Sequence, residues 1–344
     1  MALILDLVDP QELIGYVRGF QDEQEANQFR LAAYLPNNNI DDIEYRITQG
    51  QLRMPDAAMV RAWDTESPIG SRQGLRRLFG ELPPMSKKIR LGEEERLRKR
   101  KLETGDNAPI VNAIYDDAAN MTLSVLSRIE LMRGEVLQTA KVDINENGVD
   151  LTVDFGRDAD LTVQAPFTWT NDEDADPVRD YLSWVTFYTN KNGVRPAQGL
   201  TDTATITALL TNEKMRGYVG RGAYVPGIIT IADIQSVFGA YDLPPLVAYD
   251  TQVRVNGTQT RILKAGTITL VPPAGSGLGG TLFGTTAESL MLVEARAIAA
   301  GEAPGLVATV HANDDPVATW TKVTGIALPT LTNPNLTMHC KVRF

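Results

Sequence analysis

The sequence predicts an α+β fold, and three observations carry that reading. An apolar stripe repeats at helical spacing through residues 106–133. Two stretches of period-two alternation are each broken by an Asn-Gly pair, at 147–148 and 256–257. No regular strand–helix–strand repeat of the kind that builds a parallel sheet accompanies them. With 344 residues, 43% hydrophobic and 22% charged, the chain has the composition of a folded soluble protein, which excludes wholesale disorder, a collagenous fibre and a coiled-coil rod.

Pro10 suits a first helical turn, and Leu13, Ile14 and Val17 share a face, so one or two short helices are expected between Asp9 and Leu35, broken by Asn37-Asn38-Asn39. Ile43, Tyr45 and Ile47 alternate with charged residues as in a strand, and the alternation resumes less regularly from Leu52 to Trp63. Residues 65–74 are turn-forming, and 75–78 and 87–91 lead the chain back, so 57–90 reads as a long excursion with a flexible tip. The stripe Ile110, Ile114, Ala118, Met121, Val125, Ile129 and Met132 places a helix from Asp106 to Arg133, stopped by Gly134 and about 40 Å long. A hairpin follows over 142–155. Asp176-Pro177 opens a helix that buries Tyr181, Trp184, Val185 and Tyr188 and ends near Gly193. Shorter helices are expected at 204–215 and 230–238, a second hairpin from 246 to 271, and further strands at 306–310, 320–326 and 336–344.

Charge is segregated along the chain. The formal net charge is −10, which disfavours nucleic acid or an anionic membrane as the main partner. Residues 87–101 nonetheless hold eight basic and three acidic residues, and 141–180 hold eleven acidic and three basic. The ordinary reading of the basic stretch is a solvated helix with Glu94–Arg98 and Glu95–Lys99 pairs. The functional reading is a stripe that meets an acidic neighbour. The apolar runs fall short of a membrane span, and the N-terminus lacks a basic leader, so a soluble, non-exported chain is expected.

Little in the sequence points to catalysis. Cys340 is the sole cysteine, so neither an intrachain disulfide nor a cysteine-based zinc site is possible. Residues 275–280 satisfy GxGxxG spacing, but Pro272-Pro273 separates them from the preceding strand and no helix start follows, so a flexible loop is expected there. His311 near Asp314 and Asp315 lacks metal-ligand spacing, and His339 beside Cys340 on a strand faces the opposite side. No catalytic, cofactor-binding or metal residue is assigned, and no cofactor is expected. An acid–base carboxylate pair across a cleft is not testable from sequence.

The succession of arm, excursion, basic stretch, long helix, acidic hairpin and mixed remainder resembles the lambda-like major capsid protein E family of tailed bacteriophages. The resemblance rests on Val153-Asp154-Phe155-Gly156-Arg157 after the long helix, on Trp169 and Asp176-Pro177, and on Tyr249 to Val255, Asn256-Gly257 and Leu270-Val271-Pro272. It implies the tailed-phage major capsid fold. An N-terminal arm would span 1–56 and an extended β-loop 57–90. A peripheral domain would follow over 91–179 with a spine helix at 106–133, then an axial domain over 180–321 and a return strand over 322–344. It also implies a structural protein, not an enzyme, that forms hexamers and pentamers of an icosahedral head enclosing double-stranded DNA. Assembly would occur in the host bacterial cytoplasm with a separate scaffold protein, a portal and, optionally, a decoration protein. DNA would be met only by non-specific proximity, and no membrane is involved. Residues 57–86 contain no lysine, so a lysine–asparagine crosslink through the loop is not expected. The residues expected to touch neighbouring subunits are Glu66, Arg72, Arg76, Arg77, Arg96, Arg98, Lys99, Arg100, Lys101, Asp172, Glu173, Asp174 and Asp176. An encapsulin-type shell and a soluble α+β enzyme with an unrecognised carboxylate site are the alternatives.

Overall fold

A computed structural model describes residues 2–3, 8–50, 57–58, 60–67, 75–101, 108–170, 173–220 and 226–344. In chain order come β1 (Ala2–Leu3), α1 (Pro10–Asn27), β2 (Asn37–Asn39), β3 (Glu44–Gly50), β4 (Leu75–Glu81), β5 (Pro84–Leu91), α2 (Glu93–Lys101) and α3 (Ala108–Thr139). Next are β6 (Lys141–Glu146), β7 (Val149–Asp154), β8 (Thr162–Gln164), α4 (Pro177–Asn192), β9 (Gln198–Thr201), α5 (Thr203–Thr211), α6 (Glu213–Val219) and α7 (Ile231–Ala240). The remainder is β10 (Leu246–Ala248), β11 (Gln252–Val255), β12 (Thr258–Arg261), β13 (Thr267–Val271), β14 (Gly279–Phe283), α8 (Ala287–Glu294), β15 (Val307–Asp314), β16 (Val317–Leu331) and β17 (Met338–Lys341).

Two larger sheets organise these elements. One runs β1-β15-β16-β14-β2, with β5 also paired to β16, and α3 lies against β16 and β5. The other runs β10-β9-β13-β17-β8, beside α4, α5, α6 and α7. The ribbons β3–β4, β6–β7 and β11–β12 stand apart. Each larger sheet has its own apolar core. All seven stripe residues of α3 are buried in the first, with Val323, Ala327 and Leu328 of β16. Trp169, Tyr181, Tyr188, Phe238, Leu270, Met338 and Cys340 fill the second. The α+β class is therefore observed.

Several local expectations are met for the stated physical reasons. Asn147 and Gly148 take φ of 52° and 82°, and Asn256 and Gly257 take 50° and 81°, so both Asn-Gly pairs turn their hairpins in the left-handed region. Asp176 caps α4, Pro177 occupies its first position, and Gly193 closes it at φ 71°.

Other expectations are corrected. Gly134 does not stop the spine helix, which continues through it to Thr139. The carbonyl of Ile262 crosses the helix so closely there that a Cβ on residue 134 would lie 2.5 Å from that oxygen, and glycine is needed for this approach. Residues 106 and 107, the expected start of that helix, lie outside the described residues. Asn37–Asn39 does more than break a helix, because it pairs parallel to β14 as a sheet edge. The excursion begins earlier than residue 57, since Glu44–Gly50 and Leu75–Glu81 form its antiparallel stem. Half of the strand expected over 52–63, residues 52–56 and 59, falls outside the described residues, and 57, 58 and 60–63 are not in a strand. One helix expected at 204–215 is two, α5 and α6, split at Asn212.

Strand pairing also divides the chain differently from boundaries at 180 and 321. β14, β15 and β16 join the sheet under the spine helix, whereas β8 and β17 complete the sheet beside α4. Sheets collect strands that are distant in sequence, so a division into consecutive segments misses this exchange.

Candidate functional site

The expected contact residues lie on three surfaces. Glu66 is exposed in the segment 60–67, and Arg77 is exposed on β4. Arg76, also on β4, lies over Gly156 and donates to the Asp154 carbonyl at 3.4 Å. The left-handed Gly156 leaves space for its guanidinium. Arg98 on α2 pairs with Glu94 at 2.5 Å, with both side chains more than three-quarters exposed. The solvated-helix reading thus holds for that pair, which is worth a few tenths of a kcal/mol, about 0.3–0.5. Arg96, Lys99, Arg100 and Lys101 share the backbone of α2, but their side chains fall outside the description, as do Arg72 and Asp172 altogether. Glu173 and Asp174 are exposed ahead of α4. Asp176 is occupied within its own chain, where its carboxylate accepts from the Arg179 amide at 3.1 Å and the Tyr218 hydroxyl at 3.1 Å.

A buried polar clasp, not anticipated from the sequence, ties the N-terminal arm to the spine helix. Glu130 of α3 accepts from the Leu31 amide at 2.9 Å, the Tyr249 hydroxyl at 2.5 Å and Arg133 at 3.1 Å. Arg133 also donates to Glu25 at 3.1 Å, Asn37 at 2.5 Å and Thr281 at 2.9 Å. Burial raises the Glu130 carboxyl above its ordinary range, against the opposing pull of Arg133. Burial and the adjacent Glu130 likewise raise Tyr249. The donors and acceptors are spent on one another inside the core, so the cluster holds four segments together, the N-terminal arm, α3, the turn at Tyr249 and β14. The available sequence signal was the position of Glu130 and Arg133 on the buried side of α3, beside Ile129 and Met132.

A second polar junction joins the end of α3 to the five-stranded sheet. Arg157 donates to the carbonyls of Leu137 and Gln138 at 3.3 and 2.7 Å, and to the hydroxyls of Thr337 and Thr162 at 3.2 and 3.0 Å. A cation at the carbonyl end of a helix is favoured by its dipole. Burial pulls the guanidinium down to about 10. On the neighbouring β17, His339 is pushed down to about 4, first by burial and then by Arg157 and Lys264, and its buried Nδ1 has no hydrogen-bond partner. Cys340 points into the opposite core, where burial raises its thiol.

The remaining sequence candidates are placed as follows. Gly279 and Gly280 enter β14 rather than a helix N-terminus, which is not the geometry that cradles a dinucleotide. His311 bonds to Thr309 of its own strand at 3.0 Å. Among the described residues no group of three His, Cys, Asp or Glu side chains is placed to hold a metal, and no helix is long and apolar enough to cross a membrane.

Surface chemistry shows instead in exposed apolar residues. Val60 and Trp63 are almost wholly solvent-exposed, Phe79 and Ile228 nearly so. A groove of about 520 Å³ opens between the start of β5, the middle of α3 and the tips of the β6–β7 and β11–β12 ribbons.

A family model described as phage major capsid protein E matches residues 33–342. No curated protein matches the chain. Among solved structures, a prophage protein from Escherichia coli CFT073 described as a capsid protein has a TM-score of 0.64 at 12% identity, covering 97% of this chain and 99% of its own. A phage-related protein from Bordetella bronchiseptica RB50 has a TM-score of 0.59 at 11% identity, covering 99% of this chain and 98% of its own. At such identities these two similarities show a shared fold.

Proposed function

The chain belongs to the phage major capsid protein E family, and from that premise we propose that it forms hexamers and pentamers that close into an icosahedral head around double-stranded DNA. Its role is structural: it is a capsid subunit that self-assembles into a shell. The family match over nearly the whole chain carries this conclusion. In the proposed arrangement the spine helix and its sheet form the peripheral part of the subunit, the five-stranded sheet with α4–α7 forms the axial part, and the excursion stemmed by β3 and β4 reaches a neighbour. A separate scaffold protein, a portal and an optional decoration protein complete the head, which assembles in the host bacterial cytoplasm. The net charge of −10 suits a wall that does not grip its cargo, because each neutralised phosphate would strengthen sticking through counterion release.

Electron microscopy of the purified protein tests this reading. Closed shells are the expected result, whereas a stable monomer under assembly conditions and in the virus would overturn it.

The basic helix α2 is proposed to meet acidic residues of an adjacent subunit, with Asp172, Glu173 and Asp174 as partners. Asp176 is left out of this test because it caps α4. Reversing Arg98 and Lys99 to glutamate is expected to weaken each intersubunit contact about tenfold, a loss of roughly 1.4 kcal/mol, and to reduce empty-shell yield. Reversing Glu173 and Asp174 to lysine in the same chain should restore it. Normal empty shells with a selective packaging defect would instead place DNA against α2.

A further inference from the structure

The fold divides the basic block 87–101, and its strand half joins residues from the far end of the chain. β5 pairs antiparallel with β16, which pairs in turn with β15, so Lys88 stands beside Lys322 and Thr309, and Arg90 beside Trp320 and His311. Lys87 turns to the other face, where it donates to Ser124 of α3 at 3.0 Å. Its cross-strand neighbours Val323 and Ala308 lie in the core with α3. Successive strand residues alternate faces, so Lys88, Arg90, Lys322, Trp320 and His311 lie on the side of the sheet away from α3.

This face carries positive charge without enough negative charge to match it. Lys322 pairs with Glu288 of α8. Lys88 and Arg90 are exposed and make no ion pair among the described residues, although Lys88 lies over the Trp320 ring, 4.8 Å from its centre. Lys88 and Lys322 are directly opposite, and like charges so placed destabilise a sheet. Burial first and then the Lys322 charge push the His311 imidazole below its ordinary range, against the pull of Glu288. The Trp320 indole nitrogen is buried with no hydrogen-bond partner among the described residues. Repelling cations beside a donor that lacks an acceptor are completed by an anion.

Spacing and surroundings specify which anion. Lys88 and Arg90 are two residues apart on one strand, about 6.6 Å at ~3.3 Å per residue, the interval between carboxylates on alternate residues of an extended peptide. Carboxylates border the face: Glu288 on α8, the exposed Asp314 and Asp315 at the β15–β16 turn, and Glu93, which accepts from the Val317 amide at 2.9 Å. A DNA duplex, with a charge every ~1.7 Å of its axis, would be pressed against them, whereas two alternate carboxylates need only the two free cations. The chain's own acidic ribbon β6–β7 is on the other side, because Val142, Ile144 and Val153 bury its apolar face in the core that α3 shares. The acidic stretch ahead of α4 is already matched with α2.

We infer that this face of β5, β16 and β15 binds an extended acidic segment, with carboxylates on alternate residues, of a separate accessory protein of the shell. The accessory role of the partner rests on the shell reading above, and the anion site does not. The probe is a short peptide of alternating Glu and Thr, titrated into free subunits and into shells, with a short DNA duplex in parallel. Trp320 reports binding through its emission, each protein being read against its own Trp320→Phe counterpart. A saturable response to the peptide is expected in both states. Its dissociation constant should rise about tenfold in Lys88→Gln/Arg90→Gln and stay unchanged in Arg98→Gln/Lys99→Gln on α2.

Equal affinity in Lys88→Gln/Arg90→Gln, or a response to the duplex and not to the peptide, would overturn the proposal. So would loss of the peptide response when shells form, because a neighbouring copy then covers the face. Should the double variant not fold, Arg90→Gln alone decides, with a loss of about threefold expected and no loss overturning the site. Failure of the wild type to form shells would refute the shell reading, and binding to the free subunit would still decide the site.

Discussion

Arg133→Ala is expected to destabilise the subunit by about 3–5 kcal/mol, the range for removing one member of a buried ion pair and leaving the other uncompensated. Arg133 is almost inaccessible to solvent, as is Glu130, and the substitution strands Glu130 inside the core along with the acceptors on Asn37 and Thr281. Urea denaturation read by tryptophan fluorescence measures the loss. The double variant Arg133→Met with Glu130→Leu should recover much of it, because apolar replacement of a whole buried pair is often near neutral. A pH signature separates this account from simple loss of packing. The Glu130 carboxyl lies above its unfolded value in the folded state, so this group favours folding most below the unfolded carboxylate range and loses that contribution as pH rises through its folded pKa. With its main opposing charge gone, Arg133→Ala should gain stability on mild acidification relative to the wild type. An unchanged denaturation midpoint for Arg133→Ala would refute the role of the clasp.

His339 carries the second large effect, with the opposite sign. Its folded value of about 4 lies below the ordinary 6.5, so the fold holds the neutral ring and stability falls as pH drops from about 6.5 toward 4. The shift corresponds to a loss of about 3 kcal/mol by pH 4. His339→Leu removes both the titration and the unpartnered buried nitrogen, and it should flatten this part of the stability–pH profile. Arg157→Met should reduce the slope while lowering stability at neutral pH, because Arg157 both disfavours the imidazolium and bonds four oxygens at the junction. A wild-type profile as steep as before in His339→Leu would assign the acid sensitivity to other groups.

What could be read from the sequence was local and periodic. The stripe from Ile110 to Met132 located the spine helix, and the Asn-Gly pairs located two hairpins, because helical spacing and left-handed turns are written in neighbouring residues. What could not be read depended on partners distant in the chain. Gly134 looks like a helix stop until the carbonyl of Ile262 is seen crossing it. Glu130 and Arg133 sit beside the apolar stripe, but the partners that satisfy them in the core, Glu25, Asn37, Tyr249 and Thr281, come from distant parts of the chain. The helix Ala287–Glu294 was missed, although Thr286 and Ser289 form a reciprocal cap at its start. Of the charge blocks, the sequence showed the segregation but could not show that Asp176 serves its own helix and Tyr218.

The five-stranded sheet has a consequence for how the protein is made. Its strand Met338–Lys341 lies between β13 and β8, yet it is synthesised about 170 residues after β8. At translation rates of roughly 5–20 residues per second, β8 waits on the order of ten to thirty seconds for this partner, and β13, made about 70 residues before it, waits roughly three to thirteen. Until β17 is made, Trp169, Tyr181 and the later Leu270 lack the Met338 and Cys340 side chains that complete their core. A ribosome that aborts before residue 338 therefore releases a chain with an open sheet, a substrate for chaperones and proteases rather than a competent building block. Late insertion of a central strand makes complete translation a condition of folding, so truncated products are sorted out before they can poison a growing lattice.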